Sequence, residues 1–156
     1  MPRVAEPIKI SLEQYLELEE KSDVRHEFVD GQMFAMAGAS INHNLISGNI
    51  YALARAAGRA LGCIAFMADV KVITPNGISY YPDVFSSCDD TQSKYVKNNP
   101  CFIVEVFSPS TKLTDRREKL QAYQTIETLQ GYLMVDHEEK IVEYLERTVD
   151  GWKLLW

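Results

Sequence analysis

The run Cys101-Phe-Ile-Val-Glu-Val-Phe107 constrains this chain more than any other stretch. A short, nearly continuous apolar segment rich in β-branched and aromatic residues reads as a strand buried on both faces, which requires a sheet covered on both sides. Alternation directs Ile103, Glu105 and Phe107 to one face and Phe102, Val104 and Val106 to the other. Glu105 is the only polar side chain of the run. An ionised carboxylate in such a strand costs on the order of several kcal/mol unless it is paired, solvated at a strand end or bound to a metal. Two readings stand: a functional carboxylate, or an edge-of-sheet Glu paired with an Arg from a neighbouring helix.

The flanking patterns supply the rest of such a sheet. Ser11-Leu-Glu-Gln14 fits a capping box and predicts a short amphipathic helix over 11–20. HEFVDGQMFAM reads as two strands turning at Asp30-Gly31, a pair that tolerates positive φ. Ser40 is placed to cap a helix over 40–61 and Gly62 to end it, with Ile46, Ile50, Leu53, Ala57 and Leu61 as the expected buried stripe. CIAFM, DVKVI and ISYYPDVF read as three strands, and 86–99 as a polar loop. After Ser108-Pro109-Ser110 a helix is expected from Thr114 or Asp115, followed by strands GYLMVD, KIVEYLE and GWKLLW. The order predicts a mixed α/β or α+β sheet flanked by helices, in one domain over 1–156.

Composition narrows the class. At 156 residues and 46% apolar, the chain is long enough for one core. Its longest apolar stretches fall far short of the roughly 20 residues of a membrane span, and MPRVAEPIKI has no signal-peptide core. Cys63, Cys88 and Cys101 show no CxxC spacing and read as reduced thiols in a cytoplasmic protein. The net charge of −6 and pI near 5.1 argue against coating nucleic acid through bulk charge.

Two further residues bear on Glu105. Tyr80-Tyr81-Pro82-Asp83-Val84-Phe85 holds a second lone acid in an apolar strand, and Pro82, lacking a ladder donor, marks an edge or a local distortion. Asp83 is either a turn residue at a strand end or an acid aimed at the cavity that Glu105 faces. Two carboxylates brought together favour a hard divalent cation. On the predicted third helix, Asp115, Lys119 and Tyr123 lie four residues apart on one face. The plain reading is a surface ion pair of Asp115 with Lys119. Against it, the helix follows the Glu105 strand after one short loop, over that strand's C-terminal end, where open α/β sheets place ligands.

These residues resemble the PD-(D/E)XK nuclease superfamily, with its restriction-endonuclease-like fold, and more narrowly the Uma-type family of restriction endonucleases, formerly a domain of unknown function. The resemblance rests on RHEFVDGQ at 25–32, YPDV at 81–84, VEVFSPST at 104–111, DRREKLQAY at 115–123 and GYLMVD at 131–136, and covers nearly the whole chain. One departure is plain: Phe107 occupies the place, two residues after the Glu, where the superfamily carries its lysine. The resemblance places that lysine on the following helix, at Lys119. The chain also stops at Trp156, earlier than family members usually do, so a C-terminal extension is expected to be missing.

The resemblance implies a metal-dependent endonuclease acting on nucleic acid, in the first place DNA, and leaving 5′-phosphate ends. Asp83 and Glu105 would bind Mg²⁺ or Mn²⁺ with the Val106 carbonyl as a third ligand, and Lys119 would orient water or stabilise charge. Glu27 and His43 also fall where that family tends to have Glu and His. Glu27 is an additional acid near the metal or a hairpin residue paired with Arg25 or His26. His43 is more simply read as hydrogen-bonding within its helix. His26 and His137 read as solvated, and Arg55 and Arg59 as phosphate contacts or a solvated face. A two-fold homodimer would suit cutting both strands. The alternatives are a non-catalytic nucleic-acid-binding or dimerisation module on the same fold, and a metal-assisted hydrolase of another phosphoester.

Charge divided along the chain is compatible with that reading. Residues 1–30 carry four bases and eight acids (−4), 31–110 five of each, 111–126 four bases and two acids (+2), and 127–156 three bases and seven acids (−4). The acidity lies in the end segments, and the segment around Lys119 is basic.

Overall fold

In the computed structural model, which describes residues 8–89, 93–107 and 114–155, the chain runs α1 (Leu12–Glu20), β1 (His26–Val29), β2 (Gln32–Ala35), α2 (Ile41–Leu61), β3 (Ile64–Met67), β4 (Lys71–Ile73), β5 (Ser79–Tyr80), β6 (Val84–Ser87), β7 (Val96–Lys97), β8 (Pro100–Phe107), α3 (Thr114–Gln124), β9 (Gly131–Asp136), β10 (Ile141–Thr148) and β11 (Gly151–Leu154). Side chains of α3 are described from Arg116 onward. Two sheets result, ordered β2-β1-β5-β4-β7 and β11-β10-β9-β8-β6-β3. Only the β4·β7 and β8·β9 pairs are parallel among the described strands. The result is the expected mixed α+β architecture.

The local signals act as their chemistry requires. Ser11 and Gln14 form the reciprocal capping box of α1. Asp30 and Gly31 both take positive φ, 49° and 84°, in the β1–β2 hairpin. The Ser40 side chain accepts the His43 N–H, and left-handed Gly62 closes α2. β8 is central, antiparallel to β6 and parallel to β9. Its Ile103 and Phe107 join Phe85, Tyr123, Ile126, Leu129, Tyr132 and Met134 in the core, whereas Val104 and Val106 are buried apart from that cluster.

Four expectations change. YYPDVF is not one strand: the chain leaves β5 in the first sheet at Tyr80 and enters β6 in the second at Val84, with Pro82 and Asp83 in the break. Residues 86–99 are not all loop, because β6 extends to Ser87 and the two-residue β7 pairs with β4. The buried face of α2 is not the 46-50-53-57-61 stripe. Ser47 and Gly58 are buried, while Leu53 and Leu61 are 72% and 76% exposed. Apolar residues surround this helix, so periodicity alone does not select a face; the sheet receives the side that carries His43, Ser47, Ala54 and Gly58. Finally, Cys63 and Cys88 form a disulfide and only Cys101 is free. The two are 25 residues apart, and no local spacing reports the tertiary approach of α2's end to β6.

A buried acid also ties α1 to the first sheet. Glu19 accepts from the His26 backbone N–H at 2.8 Å and the Tyr81 hydroxyl at 2.8 Å, and pairs with His26 Nδ1 at 3.0 Å. His26 is thus a partner of Glu19 rather than a solvated side chain. Glu19→Ala strands these donors in a 6% exposed position and is expected to cost about 3 kcal/mol, read as a lower urea midpoint at unchanged slope.

Candidate active site

Asp83 owes its position to the break between sheets. The β6·β8 register pairs Val84 with Val104, so one step further Asp83 comes level with Glu105. Asp83 Oδ2 accepts the Val106 backbone N–H at 2.7 Å, and Oδ1 lies 3.2 Å from His43 Nε2. Pro82 ends the ladder, and the freed carboxylate replaces a backbone partner for β8.

Glu105 lies 4% exposed in the middle of this arrangement. Its Oε1 accepts the Tyr123 hydroxyl at 2.7 Å and faces Lys119 Nζ at 3.4 Å. Both partners come from α3, where the four-residue spacing sets them on one face. Lys119 also pairs with Glu27 Oε1 at 2.8 Å and stands 5.2 Å from the centre of the Tyr80 ring. The sequence therefore brings β1, the β5–β6 break, β8, α2 and α3 to one cluster of three carboxylates, one lysine and one histidine.

The electrostatics follow from burial. Desolvation lifts the Glu105 carboxyl to about 8; Lys119 pulls it down, Asp83 and Glu27 push it up, and the Tyr123 hydroxyl lowers it. Burial alone would lower the Lys119 ammonium, but Glu105 and Glu27 overcome it and hold the group above its ordinary range. The hydrogen bond to Asp83 raises the His43 imidazole against the opposing pull of burial, and the charge of Glu105 and the Val106 backbone add to it. Desolvation and the Glu105 charge raise the Tyr123 hydroxyl well above its ordinary value, so it stays a donor.

The donor set fits a hard divalent cation. Among the described residues, the Glu105 hydrogen bonds fall on Oε1 and each Asp83 oxygen meets one partner. A buried carboxyl raised by two acidic neighbours is the kind of site that a dication relieves.

The structure separates the readings left open by the sequence. Glu105 pairs with a lysine and a tyrosine rather than an arginine. Glu27 turns to Lys119 rather than to Arg25 or His26; Arg25 pairs with Asp69. The His43 ring leaves its helix for Asp83. Lys119 is a 13% exposed member of the cluster, and a pair with Asp115 lies outside the described side chains. His137 is not solvated: both ring nitrogens are buried with no hydrogen bond among the described residues, and the ring meets His43 edge-on at 6.4 Å. Arg55 and Arg59 are exposed on α2. Ser108–Leu113, including the end of VEVFSPST, lies outside the described residues. Tyr80 escapes sequence reasoning, since nothing distinguishes an aromatic that lies beside a lysine from any core aromatic.

A mixed α+β scaffold with this architecture is nuclease-like in fold. The crystal structure of an Anabaena variabilis protein, described as a putative nuclease belonging to DUF820, superposes with a TM-score of 0.76 at 15% identity, covering 93% of this chain and 83% of that one. The chain belongs to the Uma2 family, described as "Putative restriction endonuclease", whose model matches residues 12–155. Two uncharacterised Synechocystis proteins are similar over most of their length. One, slr1290, is 36% identical over 151 residues, 94% of this chain and 80% of the relative. The other, sll1609, is 32% identical over 147 residues, 91% and 83% respectively. No helix of the described residues is long and apolar enough to cross a membrane.

Proposed function

We propose that this protein is a divalent-metal-dependent endonuclease of PD-(D/E)XK type that hydrolyses phosphodiester bonds of DNA, and that it works in the cytoplasm as a homodimer. The observation that carries this reading is the buried Glu105 carboxylate, level with Asp83 and faced by Lys119 at 3.4 Å. Asp83 and Glu105, with the Val106 carbonyl, would hold Mg²⁺ or Mn²⁺. When bound, such a cation lowers the pKa of a coordinated water and neutralises charge on the scissile phosphate.

The remaining work belongs to the chain itself. Lys119 presents an ammonium whose proton is held firmly by two carboxylates, so it acts as a fixed positive charge toward a phosphate oxygen rather than as a base. Glu27 positions that ammonium from the hairpin. Tyr123 fixes the Glu105 rotamer, and His43 together with the Val106 N–H fixes Asp83. A two-fold dimer would bring two such sites to the two strands of a duplex.

The test is cleavage of supercoiled plasmid with Mg²⁺ or Mn²⁺, with single-stranded RNA as a parallel substrate. Asp83→Ala should lose activity while keeping its circular dichroism spectrum; preferential cutting of RNA would move the substrate assignment. His43→Ala, which removes an orienting partner and no proposed ligand, should lower the rate about 10- to 100-fold. An unchanged rate there would remove His43 from the machinery.

A further inference from the structure

The three cysteines lie outside the carboxylate cluster and converge. Cys63 follows the Gly62 cap of α2, Cys88 follows β6, and Cys101 lies near the start of β8. Cys63 and Cys88 are bonded, Cys101 Sγ stands 3.1 Å from Cys88 Sγ, and the three sulfurs all fall within 4.8 Å of one another. Cys88 is exposed and the other two half-buried, so the cluster is open to solvent.

We propose that the reduced protein binds one thiophilic d¹⁰ cation, Zn²⁺ in the first place, through Cys63, Cys88 and Cys101, and that the Cys63–Cys88 disulfide closes this site. A zinc–sulfur distance of about 2.3 Å sets tetrahedral thiolates about 3.8 Å apart. That spacing lies within the observed spread once the disulfide opens. Three protein ligands leave a fourth position for water. Opening the disulfide takes two electrons and two protons from an external dithiol, whose own sulfurs join. Zinc binding then releases the three thiol protons to solvent.

Soft sulfur donors select a different metal from the oxygen donors of the carboxylate cluster. The two sites are also apart. Four residue steps along β8 separate Cys101 from Glu105, about 13 Å at about 3.3 Å per step. The sulfurs tie the end of α2 to β6 and β8, while His43, Asp83 and Glu105 belong to the opposite ends of the same elements. The role is therefore a staple on the scaffold that carries the carboxylates. Burial raises the Cys101 thiol, which disfavours thiol–disulfide exchange by this residue; a coordinated dication instead deprotonates its ligand outright.

The experiment uses Co²⁺ as a spectroscopic substitute for Zn²⁺. Full-length protein is reduced with a dithiol, freed of reductant under anaerobic conditions and titrated. One equivalent of Co²⁺ should develop a sulfur-to-cobalt charge-transfer band, which one equivalent of Zn²⁺ should abolish. Oxygen ligation at Asp83 and Glu105 gives no such band, and the disulfide-bonded protein should show none. Cys101→Ser should weaken Co²⁺ binding by at least about tenfold. A measurement on the parent chain stands independently of variant folding: Zn²⁺ should slow iodoacetamide alkylation of all three cysteines, read by mass spectrometry. The proposal is overturned by absence of the band in reduced protein, equal bands in both redox forms, unchanged affinity in Cys101→Ser, or alkylation indifferent to Zn²⁺.

Discussion

Replacing Glu105 with alanine is expected to lower metal-dependent DNA cleavage by about 10³-fold, with the fold retained. The size follows from what one carboxylate does in the proposed site: it is a metal ligand, and it also holds Lys119 and Tyr123 in place. Lys119→Ala removes a single preorganised positive charge and should cost about 10²- to 10³-fold. Tyr123→Phe should cost less, about tenfold, because only the orientation of Glu105 is loosened. Glu105→Ala and Lys119→Ala together should lose far less than the product of their separate losses, since both act through one constellation. Plasmid nicking rates at matched protein concentration check the series. Equal cleavage by the parent and Glu105→Ala, in preparations purified identically, would sink the nuclease assignment.

Stability of the metal-free protein is expected to fall between about pH 5 and 8, and Glu105→Gln should remove most of that fall. The Glu105 carboxyl is raised in the folded state to about 8 from an ordinary value of 4.5. The folded chain therefore binds this proton more tightly than the unfolded one. The stability it contributes is fully present below the unfolded value and is lost as pH rises through the folded one. Lys119 is shifted upward from 10.5, so its own contribution is lost only above that value, outside the window. Above pH 8, Glu105→Gln should exceed the parent by an amount on the order of a few kcal/mol, shrinking towards zero near pH 5. Urea unfolding in chelator across this range measures it. Saturating Mg²⁺ should restore the parent at alkaline pH, by about 2.7 kcal/mol at a hundredfold excess over Kd, and should leave the Gln variant much less affected. A variant less stable than the parent throughout would mean that Glu105 serves folding as an ion-pair partner.

The legibility of this fold divides by range of interaction. The capping box at Ser11, the Asp30-Gly31 turn, the Ser40 and Gly62 ends of α2 and the centrality of the Cys101–Phe107 strand are written in contiguous residues, because each depends on backbone geometry or on short periodic burial. The rotation of α2 is not, because its apolar residues lie on more than one side, and the face turned inward is marked by buried Ser47 and Gly58 and by the contact of His43 with Asp83. For Glu27 the sequence offers a place near the metal or a pair with Arg25 or His26, its near neighbours in the chain. The pair actually formed spans 92 residues, 119 minus 27, which no local pattern reports.

By itself the sequence determined an α+β sheet built round one buried strand, and it singled out Asp83, Glu105 and Lys119 as candidates, each with a folding explanation left open beside the functional one. A lone carboxylate in an apolar strand is conspicuous whatever surrounds it, since its desolvation cost is set by the strand. Only the tertiary structure decided who answers that charge. It passes the chain between sheets at Pro82, sets Lys119 between Glu105 and Glu27, turns His43 to Asp83 and gathers three distant sulfurs at the other end of the same strands. Those pairings depend on distances of a few ångströms between segments far apart in the chain, and such distances exist only once the sheets have packed.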